Sequence, residues 1–177
     1  MYRVLACLTN EHNYWLVGLA ALVCVATAST SFLMYSIACA SQDGRRLGWA
    51  VLAGVCAGSG ISATHFVAML AYRGALPTYY EPLATLGSFL VAIALAACGF
   101  ALSARGGRSL IGVGGAIVGI AIGVMHYIGM HALLVPGDFS WDASLVITSV
   151  AIGVVLSAVA KEWALSPAVD GSMFRKM

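Results

Sequence analysis

Apolar residues occupy this chain in long unbroken blocks, at 14–40, 47–72, 83–103, 109–135 and 143–164, and polar residues are confined to the short breaks between them. A helix crossing the hydrocarbon core of a bilayer needs roughly 20 predominantly apolar residues. Each block meets that length, so the pattern predicts an all-α membrane protein with five transmembrane helices. Residues 1–13 form an N-terminal segment, 14–165 the transmembrane domain and 166–177 a tail. Ala26-Thr27-Ala28 has the form of a signal-peptidase site. The apolar run continues past it to Ala40, which favours a retained first helix.

Composition agrees with the pattern: 61% of residues are hydrophobic and 9% charged, against about 25% charged in a soluble domain. The net charge of +2 is too small to call for a nucleic-acid partner. Its placement is more telling. Arg45, Arg46, Arg105, Arg108, Lys161, Arg175 and Lys176 fall on one side of the predicted bundle, and Arg3 and Arg73 on the other. Basic residues mark the cytoplasmic side, so the N-terminus is expected outside and the C-terminus in the cytoplasm. Cys7, Cys24, Cys39, Cys56 and Cys98 form no C-x-x-C pair, and the last four are expected to be buried thiols packing as small apolar groups.

Sliding the chain on itself by 61 positions places Gly54 on Gly115, Gly58 on Gly119, His65 on His126, Met69 on Met130, Phe66 on Tyr127 and Tyr80-Glu81 on Trp141-Asp142. One shift that aligns a motif and the start of the following helix indicates an internal repeat. The units run 14–79, 80–140 and, in part, 141–165. Two spans per unit return the chain to the same side, so the repeats are parallel about an axis along the membrane normal. His65 and His126 are then expected at one depth, near the outer face.

An ionisable side chain inside a span is costly without a partner, which directs attention to Thr64-His65-Phe66-Val67-Ala68-Met69 and Met125-His126-Tyr127-Ile128-Gly129-Met130. Residues four apart share a helix face, so His65 with Met69, and His126 with Met130, each present an imidazole beside a thioether. That pair suits copper, Cu(I) above all. Methionine also fills core gaps and histidine also hydrogen-bonds between helices, so one motif alone reads as structural. Two matched copies at one depth favour a site. Met125 is a further thioether beside His126, and His12, outside the first helix, can reach the same end of the bundle.

His131 points about 140° away from His126 on an ideal helix, which makes it an interfacial residue rather than a ligand. Glu81, Asp138, Asp142 and Tyr127 can hold histidine N–H groups from behind, although carboxylates at helix starts also serve the helix dipole. Tyr79, Tyr80, Trp141, Trp15 and Trp163 fit aromatic belts. Gly54 and Gly58, with Gly115, Gly119 and Gly123, form small-xxx-small stripes expected to pack the second and fourth helices together. No Ser-His-Asp order, phosphate-binding loop or dinucleotide motif occurs, and nothing suggests an enzyme.

With these motifs and the tandem two-helix repeat, the chain resembles the MHYT domain family of bacterial integral-membrane sensor modules, from His12 to Ala160. The resemblance implies a copper site near the outer face built from motif histidines and methionines. It also implies sensing of a diatomic gas such as oxygen, carbon monoxide or nitric oxide, and a cytoplasmic signalling domain as output. Thr64 replaces the first motif's methionine and Ile128 the name-giving threonine, and the third motif that usually follows the fifth helix does not occur. A complete site then calls on His12, on the lipid side, or on a second chain in a homo-oligomer. Two classes compete with the copper sensor: a haem-binding electron carrier with both histidines as axial ligands, and a structural protein whose histidines only join helices.

Overall fold

A computed structural model describes residues 12–73, 79–134 and 141–169. Arg3, Cys7, Glu11, Asp138, Arg175 and Lys176 lie outside the described residues, as does the side chain of Trp163. Among the described residues are five helices: α1 (Tyr14–Ala40), α2 (Asp43–Ala71), α3 (Pro82–Ser103), α4 (Arg108–His131) and α5 (Ala143–Val169). Each contains a stretch long and apolar enough to cross a membrane. Many large apolar side chains point outward, among them Leu22, Val25, Leu33, Leu90 and Leu156. In a bilayer that surface meets lipid, which is as apolar as the side chains themselves.

Local chemistry sets the helix ends. Asn13 caps α1 by accepting from Trp15 N–H at 3.1 Å, and Glu81 caps α3 by accepting from the N–H groups of Leu83 and Ala84, with Pro82 in the first turn, where its missing N–H costs nothing. Gly106 and Gly107, at φ +85 and +88, make the tight turn from α3 to α4, a conformation that disfavours any residue with a Cβ.

α4 ends at His131, short of the expected 135, because Leu133–Leu134 (β2) leaves the helix to pair antiparallel with Tyr79–Tyr80 (β1). The same clasp occurs one unit earlier, where His12 bridges Tyr72. Next to each bridge the capping residue of one helix donates its N–H to a carbonyl at the C-terminal end of the following helix: Asn13 to Ala71 at 2.7 Å, Glu81 to Ala132 at 2.8 Å. Ala71 and Ala132 are themselves related by the repeat.

Helices pack in chain order, α1 on α2, α2 on α3, α3 on α4 and α4 on α5, while α2 and α4 barely touch. The glycine stripes serve these sequential contacts, which corrects the expectation that they join the second and fourth helices. A Cβ on Gly58 would lie 2.6 Å from the Ile93 Cα, and one on Gly119 would lie 2.6 Å from the Val154 Cα. Gly54 meets Ala97, and Gly115 meets Ala158. Ile93 and Val154, like Ala97 and Ala158, are repeat mates, so one glycine contact is built twice. The physical reason is connectivity: short links place consecutive helices side by side, and the helix that follows takes up the glycine face. Gly123 packs more loosely, against the Val150 methyls.

A small core of Tyr35, Ala38, Ala50, Ala53, Phe100, Ala104 and Ile111 fills the end of the bundle that carries Arg45, Arg46, Arg105 and Arg108. Alanines dominate it because only small residues let helix backbones come this close. The cysteines are not buried as expected: Cys24 and Cys98 are exposed on the bundle and Cys39 and Cys56 half-buried. A thiol that behaves as a small apolar group is as well placed against lipid as in a core.

Candidate functional site

At the opposite end of the bundle α2 and α4 bring His65 and His126 together. Their Nδ1 atoms are 3.4 Å apart, and the rings meet edge to face with centroids 5.0 Å apart at 79°. Two metal–nitrogen bonds of about 2.0–2.1 Å at a tetrahedral angle hold their nitrogens about 3.4 Å apart, so the pair fits two corners of one metal ion. It fits equally a single N–H···N hydrogen bond near the upper distance limit. The other nitrogen of His65, Nε2, is buried with no hydrogen-bond partner.

Phe66 and Tyr127 follow the two histidines, and both histidines lie in an edge-to-face row of rings. Tyr80 contacts Phe66 at 6.1 Å, Phe66 contacts His65 at 5.1 Å, His126 contacts Tyr127 at 5.1 Å and Tyr127 contacts Trp141 at 5.5 Å. The row is symmetric about the histidine pair, since each member on one side is the repeat mate of a member on the other. Aromatic edges and faces in this arrangement add to packing and fix the imidazole planes. Tyr127 is also tied to α5 by a 2.7 Å bond between its hydroxyl and that of Ser149. Burial raises the Tyr80 hydroxyl above the usual tyrosine range.

Below the pair lies a cavity of about 470 Å³. α2 lines it with Ala57, Ile61, Thr64 and His65. The repeat mates of these four, Val118, Ile122, Met125 and His126, line it from α4. The cavity therefore lies on the axis relating the units, with α1 as a third wall and Phe100 of α3 at the far end. This explains why α2 and α4 share histidines yet hardly touch: the space between them is hollow.

The remaining sequence candidates fall elsewhere. Met125 is buried and lines the cavity, whereas Met69 and Met130 are half-buried and do not. His12 stands in the bridge to Tyr72, its ring 5.5 Å from the tyrosine ring, and His131 is exposed in the last turn of α4. The carboxylates act as caps. Glu81 accepts from Leu83 N at 3.0 Å and Ala84 N at 2.5 Å. Asp142 accepts from the Ser144 hydroxyl at 2.6 Å and from the N–H groups of Ser144 and Leu145. The Ser144 hydroxyl, then those N–H groups, hold the Asp142 carboxyl below the usual carboxylate range. Among the described residues no group of three His, Cys, Asp or Glu could hold a metal.

Two residues escaped sequence reasoning. Gly129 lies against His65, where a Cβ would approach Nε2 to 2.9 Å and Cδ2 to 3.3 Å, so a side chain there would displace the ring. Thr64, quoted only as a departure from a motif, lines the cavity while its hydroxyl is buried with no partner. The signal for both was a break in the repeat: Gly129 matches Ala68, and Thr64 matches Met125.

The family model described as a bacterial signalling protein N-terminal repeat, MHYT, matches residues 58–116 and 119–171. Over 155 residues, 87% of the chain, it is 37% identical to an uncharacterized signaling protein of Caulobacter vibrioides, of which it covers 19%. It is 35% identical over 149 residues to the cyclic di-GMP phosphodiesterase NbdA of Pseudomonas aeruginosa, covering 82% of the chain and 19% of the relative. With the bifunctional diguanylate cyclase/cyclic di-GMP phosphodiesterase MucR of the same organism, identity is 30% over 157 residues, 86% of the chain and 23% of the relative. No solved structure matches. The chain thus spans about a fifth of the length of these relatives. The fold and these matches define a multi-pass membrane sensor region, not a catalytic domain. The chain belongs to the MHYT family.

Proposed function

We propose that this chain is the sensor region of a bacterial signalling protein of the inner membrane, in which His65 and His126 hold one copper ion and a diatomic gas is the signal. The observation that carries the reading is the 3.4 Å between the two Nδ1 atoms. A bound copper ion would supply a coordination position for a small ligand. The chain's own residues fix the imidazoles through the flanking rings and place the thioether of Met125 in the same cavity, a soft donor suited to Cu(I). Haem fits less well. Axial nitrogens across an iron stand about 4 Å apart, twice a metal–nitrogen bond, with a macrocycle between rings that here are in edge contact.

The basic residues at the α1–α2 and α3–α4 connections support a cytoplasmic location for that end, with the N-terminus and the histidine pair outside. The cyclic di-GMP enzymes among the relatives support an output of that kind, joined in the whole protein to the cytoplasmic side.

Titration of Cu(I) against a competing chelator, with the protein in detergent, tests the site. His65→Ala and His126→Ala should each lose more affinity than the roughly 10–100-fold seen when an outer-shell partner is removed. The double variant should be little worse than either single one, because the two residues act on one ion. Unchanged affinity in both single variants would falsify the shared site and leave a hydrogen bond between helices.

A further inference from the structure

The cavity under the histidine pair has the form of a slot. Its walls run over residues 24–32 of α1, 57–65 of α2 and 118–126 of α4, a stretch of about 12 Å on each helix at the helical rise. The three walls cover the same length, so the slot lies along the helices, the direction in which lipid tails also run. Its volume is about 470 Å³, whereas a dry cavity of about 150 Å³ already holds benzene.

The walls exclude polar occupants. No Lys, Arg, Asp or Glu lines the slot, and an unpaired charge at this depth is costly. Thr27 donates to the Val23 carbonyl and Ser31 to the Thr27 carbonyl, each at 2.8 Å, so both hydroxyls are satisfied within α1. The Thr64 hydroxyl oxygen is buried and shielded from the slot. Water held in a cavity needs about two to four polar partners, which these walls do not supply. What can enter is hydrocarbon.

The mouth faces hydrocarbon as well. Cys24 and Ala28 of α1 and Ile122 of α4 line the slot and are exposed, and α1 barely touches α4, so the slot opens sideways between these two helices. Ala28 stands at the middle of α1 and Ile122 just past the middle of α4. The opening therefore lies within the hydrocarbon core, away from both water interfaces. Phe32 and Phe100 line the end remote from the histidines.

We propose that the slot holds one acyl chain of a membrane lipid, which enters between α1 and α4 and lies along the helices between the histidine pair and Phe100. A tail on the outer surface of the bundle meets protein on one side, whereas in the slot it meets three helices, which separates a held chain from the mobile lipid around it. Once seated, the chain covers the cavity side of the imidazoles and of Met125. The proposal does not rest on the copper reading, because it draws on the apolar walls and the position of the mouth and not on the donor atoms.

The test uses the full chain, stripped of metal, in phosphatidylcholine vesicles containing a phosphatidylcholine with a diazirine in mid-chain. After illumination, mass spectrometry of the peptides locates the adducts. They should fall on Ala57, Ile61 and Val118 inside the slot, as well as on outward residues such as Leu90 and Leu156. Ala28→Phe narrows the mouth at an exposed position and should lose the slot adducts while keeping the outward ones. Ala57→Phe fills the slot and should do the same, with circular dichroism reporting whether the helices are retained. A diazirine-bearing fatty acid, run in parallel, identifies the source of the chain: slot adducts from both probes mean that any acyl chain serves, and adducts from one probe alone name that lipid. Labelling confined to outward residues with both probes overturns the proposal. So do slot adducts that persist in both variants, and a dimer whose second copy covers the mouth and leaves the slot unlabelled. Cu(I) titration of the parent is a separate measurement, so failure of the copper site leaves the labelling result standing, and the reverse holds too.

Discussion

The His65 imidazole is held from three directions: His126 meets its Nδ1, Phe66 stands edge to face with its ring, and the backbone of α4 at Gly129 lies on its Nε2 side. Of these the glycine is the most sensitive to change. Alanine at position 129 favours the helix by up to about 1 kcal/mol, and the atom its Cβ meets is the tip of a side chain that can turn away. Gly129→Ala should therefore unfold no more readily than the parent, while rotation of the ring weakens Cu(I) binding by tenfold or more. Thermal unfolding beside chelator competition checks this, and parental Cu(I) affinity would mean that the ring is not pinned at Gly129. The histidine pair was legible in the sequence because both members obey the repeat. Gly129 and Thr64 were not, because a search for matching positions passes over those where the match fails, and the two halves of a shared site need not carry the same load. Glu81 and Asp142 stand at helix starts, where the dipole favours a carboxylate, and accept from first-turn N–H groups.

Between elements the repeat is a packing rule: the glycine face of each histidine helix accepts the backbone of the next helix. At Gly58 and Gly119 the obstructing atoms are main-chain atoms of Ile93 and Val154, which cannot turn aside as a side chain can. Gly58→Leu and Gly119→Leu should each destabilise by at least the 1–3 kcal/mol typical of overpacking and broaden the size-exclusion peak in detergent. Gly123→Ala, facing only the Val150 methyls at 3.3 Å, should remain monodisperse. Parental behaviour of both leucine variants would refute the close contact. The helices themselves were readable from run length alone, since a bilayer admits few other structures for such runs. Their partners were not. A small-xxx-small stripe marks where a backbone comes close but not which one, and two-residue ladders such as β1–β2 leave no periodicity to detect.

At the scale of the molecule, the histidine pair, the cavity and the arginine end lie in series along the bundle. Phe100 closes the cavity on the side of the arginine end and carries the Lys161 Nζ 3.8 Å above its ring, which couples the cavity floor to α5 by a cation–π contact. Which compartment each end faces decides where a signal enters and where it leaves. Five spans place the two ends of the described chain on opposite sides. Arg45, Arg46, Arg105 and Arg108 crowd one end, while Arg73 is the described arginine at the other, and charge bias of this kind sets orientation during insertion. A phosphatase active only in the periplasm should be silent when fused after Met177 or inserted between Gly106 and Gly107. A reporter that works only in the cytoplasm should be active at both positions. Reversal of both signals would put the histidine pair on the cytoplasmic side, where glutathione and thioredoxin keep the surroundings reducing. Replacing Arg105 and Arg108 together with glutamine provides the complementary check: it weakens the bias while changing only the α3–α4 turn and the first residue of α4, so a mixed population should appear in which some chains carry the inserted phosphatase outside.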